Sequence, residues 1–132
     1  MIEAEFKPVK LSGGCLCGGV RYAIEAEARE VVNCFCEQCR KTSGHYVAAT
    51  RVDKQNLRLE SDQTLSWYES SPDVKRGFCK RCGGNLFWDN QQNNQISVMA
   101  GTLDAPTGMR TTQNIFEQDA SDYFELPDIG AV

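Results

Sequence analysis

Seven cysteines in three short clusters carry most of the chemistry that this sequence could perform. They are Cys15 and Cys17, then Cys34, Cys36 and Cys39, then Cys79 and Cys82. Cysteines that merely fill a core would be scattered rather than grouped in this way. Thiolates at short spacing are good zinc ligands, and structural zinc takes four ligands in a tetrahedron. The clusters therefore predict metal binding.

The last cluster has the form of a zinc knuckle. Two residues separate Cys79 from Cys82, so both thiolates can turn toward one ion, and two glycines follow. Glycine lets the backbone reverse and point N–H groups at sulfur. Such a turn supplies two of four ligands. We expect Cys15 and Cys17, which two glycines also follow, to complete a closed four-cysteine site.

The remaining cysteines, Cys34, Cys36 and Cys39, predict a three-ligand site with one open position, which is the pattern of catalytic zinc. Zinc keeps a bound thiol deprotonated near neutral pH, so such a site favours thiol substrates. Spacing leaves three alternatives open. The first cluster could pair with the second, a histidine or acid could complete a second structural site, or two of the three thiols could form a redox pair.

His45 is the single histidine of the chain and lies six residues after Cys39. That gap exceeds the 3–5 residues of common zinc modules. We therefore expect His45 to be a half-exposed residue at a pocket mouth rather than a fourth ligand. One histidine also gives little support for a Ser-His-Asp triad.

Several polar residues near the clusters are candidate ligand contacts. Those predicted to bind the co-substrate are Arg40, Ser43, Gly44 and Asn114. Arg40 and its neighbour Lys41 would also offset thiolate charge. Arg76 is a further candidate substrate contact. The large aromatic residues Trp67, Trp88, Phe78 and Phe87 are expected in the core.

Short strands are the elements that must position these residues. Alternating patterns predict strands over 20–24, 46–52, 57–60, 64–69, 75–79, 85–89, 96–100 and 112–117. One helical turn is expected over 37–43, ending at Gly44 in the position after the C-cap. Many short strands separated by turn residues favour a β-sandwich or an open barrel.

Composition describes an ordinary globular protein. The chain has 132 residues, of which 41% are apolar and 24% charged, with a net charge of −4. We expect one domain over 1–132, with a core over about 11–126. The acidic balance argues against nucleic-acid binding, and no signal peptide or membrane segment is apparent. We expect a cytoplasmic monomer or homodimer, and in a reducing compartment clustered cysteines favour metal over disulfides.

The cysteine-bearing strings together resemble a known family. They are Gly13 to Tyr22, Cys34 to Gly44 and Arg76 to Gly84, joined by Ile96 to Asp104 and by Asn114-Ile115-Phe116. In this order and spacing they are similar to the glutathione-dependent formaldehyde-activating enzyme family, also called the centromere protein V family. The resemblance runs over about residues 11–126.

This resemblance implies an Mss4-like zinc-binding fold, mainly β and built from short antiparallel sheets. It implies two zinc ions: a structural one on Cys15, Cys17, Cys79 and Cys82, and a catalytic one on Cys34, Cys36 and Cys39. It also implies glutathione as co-substrate, condensed with formaldehyde to S-hydroxymethylglutathione by a carbon–sulfur lyase. The chain carries Phe35 and Asn114 where the family usually has histidine.

Three functions follow from these observations. The first is a zinc-dependent enzyme that acts on small thiols and aldehydes. The second is a zinc-stabilised binding module without chemistry of its own. The third is a redox sensor in which the three-cysteine site releases zinc on oxidation.

Overall fold

The computed structural model describes residues 8–129, and the regular structure there consists of short strands and one helix. The strands are β1 (Leu11–Gly14), β2 (Val20–Ile24), β3 (Val31–Cys34), β4 (Val47–Asp53), β5 (Leu57–Asp62), β6 (Leu65–Ser71), β7 (Val74–Cys79), β8 (Asn85–Asn90), β9 (Gln95–Met99) and β10 (Thr111–Ile115). The helix is α1 (Glu37–Ser43). Single 3-10 turns cover Lys54–Asn56, Ala100–Thr102 and Glu117–Asp119.

The strands form two sheets. One has three strands in the order β1-β2-β5, and the other has seven in the order β10-β3-β4-β9-β8-β7-β6. Neighbouring strands are antiparallel, except that β10 pairs with β3 in parallel. The prediction of a mainly β fold with short antiparallel sheets is confirmed.

The main core lies between the two sheets. On β2, Val20, Tyr22 and Ile24 alternate inward and are fully buried. They pack in one cluster with residues of the larger sheet, among them Phe87 and Val98, which face each other across β8 and β9. The Tyr22 and Phe87 rings meet edge to face at 5.6 Å. Because side chains alternate along a strand, the residues between these core positions point to the other face of the larger sheet.

That second face carries α1. Cys39, on the buried side of the helix, packs against Val47 and Ala49 of β4. The helix occupies the range predicted from the sequence and ends at Gly44, which has φ 91° and donates its N–H to Arg40 O at 2.8 Å. A left-handed residue of this kind is the usual stop of a helix, and glycine adopts it without strain.

Two strands escape the sequence patterns. β3 is buried at Val31, Val32 and Asn33 alike, so it lacks the alternation that marks a half-buried strand. β1 contains Gly13 and Gly14, a residue type depleted in strands. From the sequence we also expect a loose arm over 1–9 and a tail over 125–132, of which the structure describes only 8, 9 and 125–129. None of the helices in the described range has the length and apolar character needed to cross a bilayer.

Candidate metal centres

Four cysteines from two segments far apart in the sequence lie together. The Sγ atoms of Cys15, Cys17, Cys79 and Cys82 all lie within 4.8 Å of one another. Two of the separations are 3.7 Å, from Cys15 to Cys17, and 3.6 Å, from Cys17 to Cys79. Sulfur atoms at the corners of a tetrahedron with zinc–sulfur bonds of ~2.3 Å lie about 3.8 Å apart. This donor set therefore fits a tetrahedral zinc ion.

Each cysteine pair sits in a turn that points N–H groups at sulfur. Val20 N donates to Cys15 Sγ at 3.3 Å. Arg81 N and Cys82 N both donate to Cys79 Sγ at 3.3 Å. Gly18 and Gly83 adopt φ near 80° in the two turns, so both turns require glycine. Such hydrogen bonds stabilise thiolates before and after metal binding.

Cys79 has the surroundings that most favour a thiolate in this cluster. It is fully buried, and its Sγ lies 3.1 Å from the hydroxyl of Thr64. Burial raises the pKa of Cys79. The hydrogen bonds with Thr64 and with the N–H groups of Cys82 and Arg81 lower it by a larger amount, so that the pKa is about 5. The group is therefore poised to be a thiolate at neutral pH.

Three more cysteines lie together where β3 meets α1. The Sγ atoms of Cys34, Cys36 and Cys39 are within 4.8 Å of one another. Cys34 ends β3 and pairs with Val47 of β4. Cys36 caps the helix, because its Sγ accepts the N–H of Cys39 at 3.4 Å. In the described range this group contains no histidine and no carboxylate, so the chain offers three sulfur ligands here.

The thiols of Cys34 and Cys39 differ in pKa. Cys39 donates a hydrogen bond that lowers the pKa of Cys34 to about 6, an effect that burial opposes and the N–H of Cys36 reinforces. The pKa of Cys39 is raised, first by that hydrogen bond to Cys34 and then by burial. Of these two thiols Cys34 ionises more readily, and a metal cation would favour the thiolate form of Cys39 as well.

A cavity of about 390 Å³ opens beside the three-cysteine cluster. All three cysteines are on its wall. Most of the floor is the second face of the larger sheet, including the apolar residues Val32, Val47, Ala49, Met99 and Ile115. Volumes of ~300–1,000 Å³ are typical of small-molecule sites. An open metal position here would face a ligand-sized space.

Arginine is the other prominent residue type on this wall. Arg29, Arg51 and Arg76 line the cavity, together with Gln38 and Trp88. Arg76 donates from Nη2 to Gln38 Oε1 at 3.2 Å, which places it against α1. Its charge is one of the influences that lower the pKa of Cys34, after the hydrogen bonds and the burial described above. Partial burial, and then the like charge of Arg51, lower the pKa of Arg29.

The four predicted co-substrate contacts lie beside this cavity and not on its wall. Arg40 Nε donates to Asp119 O at 3.0 Å. Ser43 Oγ donates to Cys39 O at 2.7 Å, and Gly44 is the helix stop already described. Asn114 donates from Nδ2 to Pro127 O at 3.0 Å. These contacts support α1 and β10, and the binding role of the four residues stays a prediction.

The structure also places three other residues discussed from the sequence, Arg76, Trp88 and His45. Arg76, a predicted substrate contact, does line the cavity. Trp88 was expected in the core but is half-buried on the cavity wall. His45 is exposed and packs with Tyr46, Tyr123 and Phe124. It belongs neither to the three-cysteine group nor to the cavity wall.

Sequence reasoning missed Arg29, Arg51, Gln38 and Phe116 on the cavity wall. One signal was present for Arg51: with period two it shares a face with Val47 and Ala49. Phe116 has φ 57°, which is uncommon outside glycine, and its side chain is 51% exposed. No local pattern marks Arg29 or Gln38.

Comparison with known proteins connects these centres to a family. The family model described as glutathione-dependent formaldehyde-activating enzyme matches residues 10–119. A Schizosaccharomyces pombe protein named as an uncharacterized lyase is 30% identical over 77 residues, 58% of this chain and 55% of that protein. The chain thus spans about half the length of this curated relative. A crystal structure of a Rhodobacter sphaeroides protein is similar with a TM-score of 0.58 and 25% identity, covering 71% of this chain and 88% of that one.

Proposed function

This chain belongs to the glutathione-dependent formaldehyde-activating enzyme family, and from that premise we propose that it is a zinc-dependent carbon–sulfur lyase acting on a small thiol and an aldehyde. The lyase name of a relative supports the reaction type. One observation carries the proposal: three cysteines without a fourth protein ligand in the described range lie on the wall of a ligand-sized cavity. Glutathione and formaldehyde are the proposed substrates.

The reaction is an addition that needs no oxidant. The thiol sulfur forms a bond to the carbonyl carbon, the π electrons move to the carbonyl oxygen, and the proton lost by the thiol is balanced by one gained at that oxygen. The reverse reaction releases aldehyde and thiol. Zinc, when bound, supplies positive charge that lowers the pKa of a thiol ligand.

The chain's own residues hold and orient the reactants. Cys34, Cys36 and Cys39 would hold the metal at the end of β3 and the start of α1. The apolar floor, which includes Val32 and Met99, excludes water around the reacting atoms. Fixing thiol and carbonyl in one small space replaces a bimolecular encounter by a local one, which accelerates addition.

We assign a structural role to the zinc proposed at the four-cysteine cluster. It would tie the turn between β1 and β2 to the turn between β7 and β8, and so join the two sheets. Zinc sites of this kind contribute on the order of 10 kcal/mol to folding. We further propose one domain and a cytoplasmic location, since both clusters need reduced thiols.

The test is the rate of exchange between formaldehyde, glutathione and their adduct, measured by NMR on zinc-loaded protein. Cys36→Ser is the matched control, because serine can keep the helix cap but is a poor zinc ligand. We expect faster exchange with the wild type and the spontaneous rate with Cys36→Ser. A wild-type rate no faster than the spontaneous one would reject catalysis and favour a zinc-stabilised binding module.

A further inference from the structure

Positive charge without a partner lines the cavity. Over residues 8–129, the side chains of Arg29, Arg51 and Arg76 take part in no ion pair. The cavity wall includes no Asp or Glu in that range. Arginine near apolar surface is normally paired with a carboxylate, a phosphate or another anion. The missing anion is therefore a feature that a ligand would supply.

Sheet register aligns two of these arginines. Arg76 on β7 pairs with Trp88 on β8, Trp88 pairs with Ser97 on β9, and Ser97 pairs with Arg51 on β4. Paired residues point to the same face, so the four side chains form a row across four adjacent strands. The row is roughly 14 Å long at the backbone, since neighbouring strands are ~4.8 Å apart. We call it the arginine row: two guanidinium groups with Trp88 and Ser97 between them.

Both end members of the arginine row have an unused donor. The Nε atoms of Arg51 and Arg76 are buried and have no hydrogen-bond partner within the described structure. A buried N–H without a partner destabilises the folded protein, and more so when the group is charged. A carboxylate accepts two parallel bonds from one arginine, one of them from Nε. A carboxylate ligand would satisfy these donors and neutralise the charge together.

The thiolates can balance the positive charge at only one end of the arginine row. Arg76 acts on Cys34, so it also offsets charge in the three-cysteine group. Arg51 lies four residues further along β4 than Val47, the partner of Cys34. That step is roughly 13 Å along the strand. Arg29 lies at the same far end, since Arg29 N donates to Arg51 O at 3.0 Å. Arg29 already donates to Glu30 O and Ala49 O, so Arg51 is the residue at this end with a donor left for an anion.

We propose that the arginine row is a carboxylate subsite, so that the thiol or carbonyl compound occupying the cavity places a carboxylate there and keeps any cationic group away from the row. The described wall offers arginines and no acid, so an ammonium group inside the cavity would be repelled. This inference names the substrate class of the site and rests on the proposed function for the reacting end of the ligand. The inference that the ligand carries a carboxylate depends only on the arginines.

The first experiment compares three small thiols on cobalt(II)-loaded protein, in which a thiolate-to-cobalt absorption band reports binding. The thiols are 3-mercaptopropionate, 2-mercaptoethanol and cysteamine, which differ in a carboxylate, a hydroxyl and an ammonium group. We expect 3-mercaptopropionate to bind at least about tenfold more tightly than 2-mercaptoethanol, the size of one charge-assisted hydrogen bond. Cysteamine, the most acidic of the three thiols, should bind most weakly.

Arginine variants test whether the arginine row causes the preference for the carboxylate-bearing thiol. At least one of Arg51→Gln and Arg76→Gln should bring the Kd ratio of the first two thiols toward one. Arg110→Gln is the matched control: Arg110 is exposed and is not on the cavity wall, so the ratio should stay unchanged. A preference that survives both Arg51→Gln and Arg76→Gln would overturn the subsite.

A second experiment needs neither thiol nor metal exchange. Propionate is titrated into the zinc-loaded protein while the Nε–H signals of arginine are followed by NMR, with assignments from the three variants. We expect the signals of Arg51 and Arg76 to shift and that of Arg110 to stay in place. Signals of Arg51 and Arg76 that do not move up to high millimolar propionate would overturn the subsite.

The two experiments separate failure of the subsite from failure of the function. If no thiol changes the cobalt spectrum but propionate shifts the arginine signals, the proposed lyase is wrong and the subsite stands. If thiols bind without preference and the signals do not move, the subsite is wrong and the lyase stands. Adduct formation from glyoxylate against formaldehyde, with 2-mercaptoethanol as thiol, tells whether the carbonyl compound can carry the carboxylate. A glyoxylate preference that Arg51→Gln removes supports the subsite.

Discussion

The guanidinium of Arg81 donates a hydrogen bond from Nε to Cys17 Sγ at 3.2 Å, and from Nη2 to Cys17 O at 3.4 Å. Cys17 is the exposed member of the four-cysteine cluster. The N–H of Gly19, and then Arg81, lower the pKa of the Cys17 thiol. Four thiolates on one divalent cation carry a net charge of −2, so a cation at the exposed corner reduces the repulsion among them.

Replacing Arg81 should therefore loosen the metal without unfolding the protein. We expect Arg81→Met to speed zinc release to a chelator by up to roughly tenfold, the lower limit of effects seen for residues that contact metal ligands. Arg81→Lys keeps the positive charge but cannot make both hydrogen bonds of the guanidinium group. Its rate of zinc release should lie between those of Arg81→Met and the wild type. The measurement is zinc transfer to a colorimetric chelator. An unchanged release rate in Arg81→Met would show that the hydrogen bond does not hold the metal.

The two cysteine clusters should differ in what they do for stability. We expect Cys79→Ser to lower the free energy of unfolding by on the order of 5 kcal/mol or more, because it removes a fully buried ligand from a closed site that joins both sheets. Cys36→Ser should cost less than about 1 kcal/mol, since serine can accept the N–H of Cys39 as a helix cap.

Denaturant unfolding of the zinc-loaded proteins, followed by circular dichroism, measures both values. Zinc content per chain is the accompanying control, with two ions expected in the wild type and one in Cys36→Ser. Similar losses of stability in the two variants would contradict the division into a structural and an open site.

The sequence allowed the cysteine chemistry to be predicted because its signals are local. Two residues between Cys79 and Cys82, and the glycines after them, determine a turn whatever the rest of the chain does. The grouping of these two with Cys15 and Cys17 depended on the fold, and the structure brings their Sγ atoms together. Helix α1 was equally local, with Gly44 as its stop.

The cavity could not be predicted because it depends on register between strands distant in sequence. Arg51 and Arg76 share a row only because β4, β9, β8 and β7 pair as they do. Nearness in sequence does not by itself place a residue on the cavity wall: Arg40 follows Cys39 directly, but one residue along a helix turns the side chain by ~100°, and Arg40 donates to Asp119 O. Trp88 was assigned to the core from its size, whereas strand alternation puts its neighbour Phe87 there.

Tyr22 links core packing to the pH dependence of stability. Its ring is fully buried, and its Oη lies 2.6 Å from Thr102 Oγ1, which itself donates to Met99 O. Burial, which outweighs the hydrogen bond with Thr102, raises the pKa of Tyr22 to about 12. An unfolded tyrosine titrates near pH ~10. The folded state therefore binds this proton more tightly, and the resulting stability is complete below pH ~10 and is lost as pH rises through about 12.

Comparison with Tyr22→Phe isolates this group from the other residues that titrate in the same range. Below pH ~9 the variant should be less stable than the wild type by about 1 kcal/mol, for the lost hydrogen bond. Above that pH the wild type should lose roughly 2–3 kcal/mol relative to the variant, so that the order of stability reverses between pH ~10 and ~11. The measurement is the free energy of unfolding in denaturant at a series of pH values. Parallel curves for the two proteins would show that Tyr22 ionises as easily in the folded state as in the unfolded one.

Asn114 holds β10 against β3 next to the open cluster. Its Oδ1 accepts the Nδ2–H of Asn33 at 3.1 Å, and the two residues are paired across the parallel strands. The next pair in this register is Ile115 with Cys34. Asn33 is 5% exposed, so its amide would be left buried without an acceptor if Asn114 were truncated. Asn114 thus has a structural reason to be an amide at a position where the family usually has histidine.

We expect Asn114→Ala to lower the free energy of unfolding by about 1–3 kcal/mol and to weaken cobalt(II) binding at the three-cysteine cluster, because Cys34 loses a fixed neighbour strand. Asn114→Asp is the matched variant: it keeps an acceptor for Asn33 but loses the donation to Pro127 O. If the contact with Asn33 matters most, Asn114→Asp should retain most of the cobalt affinity. If Asn114→Asp loses as much affinity as Asn114→Ala, Cys34 is positioned by the donations to Pro127 O and Glu117 Oε2, both of which Asn114→Asp removes. Cobalt titration followed by sulfur-to-cobalt absorption, alongside denaturant unfolding, measures both quantities on the same samples.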